Sequence, residues 1–191
     1  MSLGTSTIRP RAKVPPISCK HVAVLGALLF ASLAPAAHAA TLTQKDVQIL
    51  GRVFAFLDPA VTKDGVAAIV YVGGNEASRK DAEAIAGYFN GGLKAGGATI
   101  TPRLVDLASL GDGAGYVAII AAQGASGEAV MAAAKAHQII CASGELDQVQ
   151  GGRCILAIRT DPKVEITLNR SAASAANIGF AAAFRMMIHE F

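Results

Sequence analysis

The chain has few charged residues and no long run of like charge. Only 16% of its 191 residues are charged, whereas 52% are apolar. An apolar share of this size is too high for a disordered chain, and neither a collagen repeat nor a coiled-coil repeat occurs. The length suits a single domain with its own core.

Motifs that carry chemistry are also missing. There is no C-x-x-C, so a thioredoxin-type redox function is not indicated. The glycine-rich stretch 111–115 leads into an apolar run typical of a strand, so it does not match a dinucleotide-binding fingerprint. Ser126 lacks the G-x-S-x-G spacing and is interpreted as a helix cap. His137 and His189 have no acidic cluster with which to form a metal site. We therefore expect no enzyme activity, no metal and no cofactor.

The first forty residues have the organisation of an export signal. Basic residues without any acidic one precede an apolar run at residues 22–33, and Ala37-His38-Ala39 follows it. This order predicts a Sec signal peptide over residues 1–39. The apolar run is shorter than the roughly 20 residues that span a bilayer. We therefore expect a mature domain at residues 40–191, located in the periplasm.

Removal of that segment changes the charge balance of the chain. It takes away Arg9, Arg11, Lys13 and Lys20, which leaves 13 basic residues, 14 acidic residues and a formal charge of −1. The remaining basic residues are scattered along the chain. Nucleic acid is therefore not an expected partner, and a polybasic contact with a membrane is not indicated.

Two cysteines, Cys141 and Cys154, remain in the predicted mature domain. Each borders an apolar run, and the stretch between them is polar and glycine-rich. Two strands joined in this way can bring their cysteines within bridging reach. Thiols pair in an oxidising compartment, so we expect an intramolecular disulfide, with two buried thiols as the alternative.

Apolar periodicity predicts helices that alternate with strands. Helices are predicted to start at the caps Thr43, Ser78 and Ser126, and at Asn169 or Ser171. Strands are predicted at residues 66–72, 98–105, 116–122, 138–141, 154–158 and 164–168. The pattern predicts one α/β domain: a mostly parallel sheet with helices on both faces and a C-terminal antiparallel hairpin.

Two of these helices are predicted to be long. The second carries Leu93 on its apolar face and ends at Gly96-Gly97. The last is alanine-rich and extends to the end of the chain. The residues predicted to face the core from this last helix are Ile178, Phe180, Phe184, Met187, Ile188 and Phe191.

Gly73 and Gly74 lie between a predicted strand and a predicted helix. Backbone N–H groups at such a helix start can hold an anion. A tight turn also requires glycine in this place. The pair is therefore either a ligand- or anion-binding site or a structural turn.

The C-terminal third resembles the YfiR family of periplasmic proteins. Gly151-Gly152 match a glycine pair of that family, residues 164–168 match a hairpin strand, and residues 172–187 match an alanine-rich terminal helix. Residues 52–59 (RVFAFLDP) are similar to the family's first helix. The β-α-β order that begins at VAAIVYVGG also fits the family.

The resemblance implies a YfiR-like domain at residues 40–191 that acts by binding. The family includes a repressor that binds the periplasmic portion of a membrane diguanylate cyclase and restrains cyclic-di-GMP synthesis. We therefore expect a periplasmic regulator of a membrane signalling protein, either a diguanylate cyclase or a sensor kinase. In such proteins disulfides contribute to stability, and Cys141 and Cys154 fall in a comparable region.

The alternative function is small-ligand binding of the transport type. It would use the sheet edge near Gly73, Gly74 and residues 111–115, because α/β folds place ligands at the carboxyl ends of their strands. The sequence leaves open whether the protein forms a homodimer.

Overall fold

The structure, a computed structural model, describes residues 42–191, so the predicted signal peptide lies outside the described residues. The helices are α1 Gln44–Phe54, α2 Glu76–Gly87, α3 Glu128–His137, α4 Leu146–Gln150, α5 Arg170–Ala175 and α6 Ala182–Arg185, with a 3-10 turn at Leu107–Ser109. The strands are β1 Leu57–Asp58, β2 Gly65–Tyr71, β3 Leu93–Ala95, β4 Ala98–Asp106, β5 Ala118–Ala121, β6 Ile140–Ser143, β7 Leu156–Arg159, β8 Glu165–Leu168, β9 Gly179–Phe180 and β10 His189–Glu190.

The central sheet has the strand order β10-β8-β7-β6-β5-β2-β4-β3. Strands β4, β2, β5, β6 and β7 are parallel, β8 is antiparallel to β7, and β3 is antiparallel to β4. The chain moves outward from β2 through α2 to β4. It then returns to β5 and continues in the opposite direction through α3 and α4. Because such crossovers are right-handed, α2 lies on one face of the sheet and α3 and α4 lie on the other. The predicted α/β class and the antiparallel β7–β8 hairpin are confirmed.

The middle strands are buried on both faces. Every residue of β5 and β6 is buried, as are Ala67, Ala68, Ile69 and Val70 in β2. This pattern explains why these strands have continuous apolar sequences rather than alternating ones. The direction of crossover reverses between β2 and β5, and this boundary is the switch point of the sheet.

The capping signal of α1 is confirmed. The Thr43 hydroxyl accepts a hydrogen bond from the backbone N–H of Asp46 at 3.3 Å, and the Asp46 carboxylate accepts one from the backbone N–H of Thr43 at 2.7 Å. This reciprocal capping box satisfies two N–H groups that the first turn leaves without helical partners. It sets the start of α1, which begins at Gln44.

The predicted cap of the second helix is wrong. The N-cap of α2 is Asn75, whose side-chain oxygen accepts from the N–H of Ser78 at 3.2 Å. The Ser78 hydroxyl instead accepts from the N–H of Val72 at 3.0 Å. Ser78 is therefore a buried residue inside the helix, and it fastens the end of β2 to the first turn of α2.

The predicted end of the same helix is also wrong. Helix α2 ends at Gly87, and Leu93 lies in the short strand β3. Gly96 and Gly97 form the two-residue turn of the β3–β4 hairpin, with φ +61° at Gly96. Gly51 of α1 packs so closely on β3 that an added Cβ would lie 2.6 Å from the Lys94 carbonyl oxygen. Strand β3 forms because it pairs with β4 and packs against α1. The apolar pattern of residues 93–95 alone does not reveal either contact.

The prediction of one long final helix is also wrong. The family resemblance implied the same helix at residues 172–187, and the structure does not contain it. Helix α5 ends at Ala175, and Asn177 adopts a left-handed conformation with φ +53°. Strand β9 then pairs with β1, so this part of the chain leaves the helical path. Phe184 is buried, whereas Met187 and Phe191 are exposed. Tertiary pairing overrides the helical propensity of the alanine-rich sequence.

Candidate functional site

The cysteine pair links a central strand of the sheet to the segment before the neighbouring strand. Cys141 is in β6, Cys154 lies two residues before β7, and the two residues form a disulfide with their Cα atoms 5.3 Å apart. Both side chains are fully buried. The predicted pairing is therefore confirmed. Because such bonds persist outside the reducing cytosol, the disulfide indicates an oxidising, extracytoplasmic compartment. Between residues 42 and 191, none of the helices has both the length and the apolar character that crossing a bilayer requires.

Two buried carboxylates hold the loop that follows β5, at the switch point. Asp81 of α2 accepts a hydrogen bond from the N–H of Gln123 at 2.8 Å. Glu145, which follows β6, accepts from the N–H of Gly124 through both carboxylate oxygens at 3.1 Å. These N–H groups are donors that a doubly wound fold can offer to an anionic ligand. Here the chain's own carboxylates occupy them.

Burial sets the charge behaviour of both carboxyl groups. It raises the pKa of Asp81, although the hydrogen bond from Gln123 opposes this shift. Burial also raises the pKa of Glu145, and the neighbouring negative charges of Asp147 and Asp81 add to the effect. Burial at the switch point therefore disfavours the ionised form of both carboxyl groups relative to exposed ones.

The structure does not support Ser126 as a helix cap. Helix α3 begins at Glu128, with Gly127 at the N-cap position and no side-chain cap. The Ser126 hydroxyl donates to the Ser143 hydroxyl at 3.2 Å, and the N–H of Glu145 donates to the same Ser143 oxygen at 3.1 Å. These contacts join the loop after β5 to the loop after β6.

Gly73 and Gly74 lie at the carboxyl end of β2, beside a cavity of about 520 Å³. A Cβ atom on Gly73 would clash with the Asp106 carboxylate, and Gly74 has φ +75°. Glycine is thus needed for the turn itself. The cavity is lined by Tyr71, Asp106, the N-cap residue Asn75 and the α2 residues Glu76, Arg79, Lys80 and Glu83. Arg79 pairs with Glu83 at 3.0 Å and Lys80 pairs with Glu76 at 2.8 Å. Ligand or anion binding at Gly73 and Gly74 stays a prediction.

The two glycine-rich loops are not brought together. A Cβ atom on Gly113 would contact Ala133 of α3 and Ile139, which precedes β6. Asp112 lies 3.0 Å from His137 at the end of α3. Residues 111–115 therefore lie at the amino end of the parallel strands, whereas Gly73 and Gly74 lie at the carboxyl end. The prediction that residues 111–115 lie at the same sheet edge as Gly73 and Gly74 is therefore wrong.

An apolar groove between α4 and β8 was not found from the sequence. We define it by the apolar residues Leu146, Val164, Ile166 and Met187, which line a cavity of about 470 Å³ together with the polar residues Gln150, Lys163, Glu165, Thr167 and His189. The exposed fractions of Leu146, Val164 and Met187 are 37%, 51% and 64%. Sequence periodicity places an apolar residue on a face but does not tell whether another element covers that face. For that reason, the helical spacing of apolar residues around Met187 led to the wrong prediction that its side chain is buried.

No set of three or more His, Cys, Asp or Glu side chains that could hold a metal ion occurs in the part of the chain that the structure describes. No family model and no curated protein matches the sequence. Among solved structures, a conserved domain protein from Vibrio cholerae O1 biovar El Tor str. N16961 is similar, with a TM-score of 0.52 and 13% sequence identity. The match covers 78% of this chain, which spans 60% of the length of that structure. The similarity concerns the fold alone.

Proposed function

We propose that the chain is a periplasmic regulatory protein that binds a membrane-bound signalling partner, a diguanylate cyclase or a sensor kinase, and restrains it. The observation that carries the proposal is the apolar groove. Large apolar side chains from two elements, α4 and the β7–β8 hairpin, meet a third from the segment before β10 at one exposed cavity. An exposed cluster of this kind is typical of a protein–protein contact.

The groove has the composition expected of a contact centre with a polar rim. Leu146, Val164 and Met187 supply exposed apolar surface, while Lys163 and Glu165, which line the same cavity, form an ion pair at 3.0 Å. Interfaces commonly place apolar side chains at the centre and charged ones at the rim. Burial of this surface by a partner would supply the free energy of association.

The compartment supports the same proposal. The Cys141–Cys154 disulfide indicates an extracytoplasmic location, and the predicted signal peptide would direct the chain to the periplasm. From the periplasm, a regulator can reach the outward portion of a membrane protein. The resemblance to the YfiR family supplies the class of partner.

Deletion and complementation in the native host test the proposal. Deletion is expected to raise cellular cyclic-di-GMP several-fold if the partner is a cyclase, and the wild-type gene is expected to restore the basal level. Val164→Glu places a charge in the apolar groove and is expected to fail in complementation. Leu104→Glu is the matched control, because Leu104 is an exposed apolar residue of β4, distant from the groove in the strand order.

Crosslinking identifies the partner and covers the sensor-kinase case. A photoreactive residue at position 164 is expected to capture one membrane signalling protein, whereas the same group at position 104 is expected not to do so. Equal complementation by Val164→Glu and wild type, together with no membrane signalling protein captured from position 164, would overturn the proposal.

A further inference from the structure

We propose that residues 186–191, which we call the strap, are a displaceable cover on the open edge of β8, and that this edge binds an extended partner segment bearing a carboxylate. The inference deepens the proposed regulatory function, since it specifies the chemistry of a partner segment. It rests on the way in which the strap is held.

The strap makes few contacts with the sheet. Strand β10 pairs with β8 through two residues, His189 opposite Thr167 and Glu190 opposite Leu168. The N–H of Phe191 donates to the carbonyl of Leu168 at 3.2 Å. None of the strap residues is buried, and the exposed fraction of Met186 is 89%. Ile188 packs against the core while partly buried, and the N–H of Arg170 donates to the carbonyl of Phe191 at 3.1 Å. The strap as a whole buries little apolar surface, and such a segment opens at low free-energy cost.

Cavities border the strap on both faces. Met187 and His189 line the cavity of about 470 Å³ that contains the apolar groove. Glu190 lines a second cavity of about 430 Å³, together with Leu168, Arg170 and Arg185. Since successive strand residues point to opposite faces, the strap has unfilled space on each side. A segment longer or bulkier than the strap therefore fits along β8.

The charges beside Glu190 specify what the edge recognises. Arg185 donates to the two Glu190 carboxylate oxygens at 2.8 and 3.1 Å, and Arg170 lies 3.3 Å from the second oxygen. The side chain of Glu190 is only 13% exposed. When the strap leaves, two guanidinium groups lose their shared carboxylate, and Asp58 is the one other acidic residue that lines the same cavity. An incoming carboxylate restores the lost pairing.

The strap itself is the template for the partner segment. A strand that runs parallel to β8 would place an apolar residue where Ile188 lies, a carboxylate at the Glu190 position and an aromatic residue where Phe191 lies. Addition of a strand to an exposed sheet edge is a general mode of peptide recognition. Main-chain hydrogen bonds would supply affinity, and the two arginines would supply specificity.

The test uses the full chain with its strap disabled by Ile188→Ser, Glu190→Ser and Phe191→Ser. The probe is a fluorescent peptide with the sequence of residues 184–191, and the control peptide has glutamine in place of the glutamate. The acidic peptide is expected to bind the strap-disabled chain about tenfold more tightly than the control peptide does. It is also expected to bind the wild-type chain at least tenfold more weakly, because the strap occupies the edge. Addition of Arg170→Ala and Arg185→Ala is expected to abolish the preference for the acidic peptide.

Hydrogen exchange of the wild-type chain gives a second readout that does not depend on the folding of the variant. The Phe191 amide is expected to exchange at least a hundredfold faster than the buried Ile120 amide of β5, since strap opening is local. Equal binding of the two peptides, no binding, or exchange of Phe191 as slow as that of Ile120 would overturn the inference. If the inference fails while Val164→Glu still abolishes restraint, the regulatory function stands without the strand-exchange surface.

Discussion

The middle of the sheet and residues 170–191 are built in different ways. Strands β5 and β6 are buried along their whole length, and the Cys141–Cys154 disulfide crosslinks β6 to the segment before β7. Residues 170–191 instead form two short helices and two-residue strands. Several of their apolar side chains are exposed, and ion pairs between the mostly buried Glu190 side chain and two exposed arginines hold the strap.

This difference separates a closely packed sheet interior from terminal segments that leave many side chains exposed. The middle of the sheet gains its stability from apolar burial, which is proportional to the area removed from water. The terminal segments leave apolar and charged surface available to a partner. The strap buries little apolar surface, so we expect it to open without unfolding the sheet.

The largest expected effect would qualify this comparison, because it concerns a residue in the terminal region. Phe184 is buried and stacks on Phe56 and Phe180, with ring centroids 5.3 and 5.1 Å apart. Phe184→Ala is expected to lower the free energy of unfolding by about 3–5 kcal/mol, measured by denaturant titration. Met187→Ala is the control, with an expected change within about 0.5 kcal/mol. A small effect at Phe184 would make the whole terminal region peripheral.

The disulfide is expected to have the next largest effect. Replacement of Cys141 and Cys154 by alanine releases a loop whose ends are 13 residues apart. The expected loss is about 3 kcal/mol, since closure of such a loop restricts the unfolded chain. The measurement is the denaturation midpoint of the double variant, compared with that of the oxidised and the reduced wild type. An unchanged midpoint would show that the packing around β6 and β7 suffices without the crosslink.

A smaller effect, which depends on pH, is expected at Asp81. Burial raises the pKa of this carboxyl in the folded protein, so the folded state holds the proton more tightly than the unfolded state does. The contribution of Asp81 to stability therefore falls as pH rises from about 4, the ordinary value for aspartate, through the raised pKa. Asp81→Asn keeps an oxygen acceptor for Gln123 and removes this cost. The variant is expected to be more stable than wild type at pH 7, with the difference shrinking towards pH 4.

The control for Asp81 is Glu83→Gln, which removes an exposed carboxyl from the same helix. Melting temperatures at several pH values compare the two variants. If Asp81→Asn were less stable than wild type at pH 7, the carboxylate would be a required partner of the loop after β5 rather than a buried charge that the fold tolerates.

The smallest effect on global stability is expected at the strap. Glu190→Gln weakens the pairing with Arg170 and Arg185 but leaves the sheet interior untouched. The denaturation midpoint is expected to stay unchanged, while the Phe191 amide exchanges faster than in wild type. A marked drop in the midpoint would mean that the strap belongs to the cooperative core, and the contrast between the two regions would disappear.

The candidate site could be predicted only in part from the sequence. The cysteine pair could be predicted because two thiols that border apolar strands in an exported chain have few alternatives. The carboxylate contacts of Asp81 and Glu145 could not, because they join residues 42 and 21 positions apart in sequence. The apolar groove was missed because Leu146, Val164 and Met187 come from three separate segments. Their exposure depends on what covers them.

The α/β class, the start of α1 and the buried strands β2 and β5 could all be predicted from the amino-acid sequence. Each of these depends on local chemistry: a capping box, or a continuous apolar run that is stable only when it is buried on both faces. Long-range contacts, in contrast, place Leu93 in a strand, turn the chain after Ala175 off the helical path and leave Met187 exposed. Those outcomes depend on pairing with β4 and β1 and on whether a face is covered, and a local apolar pattern contains no information about distant partners.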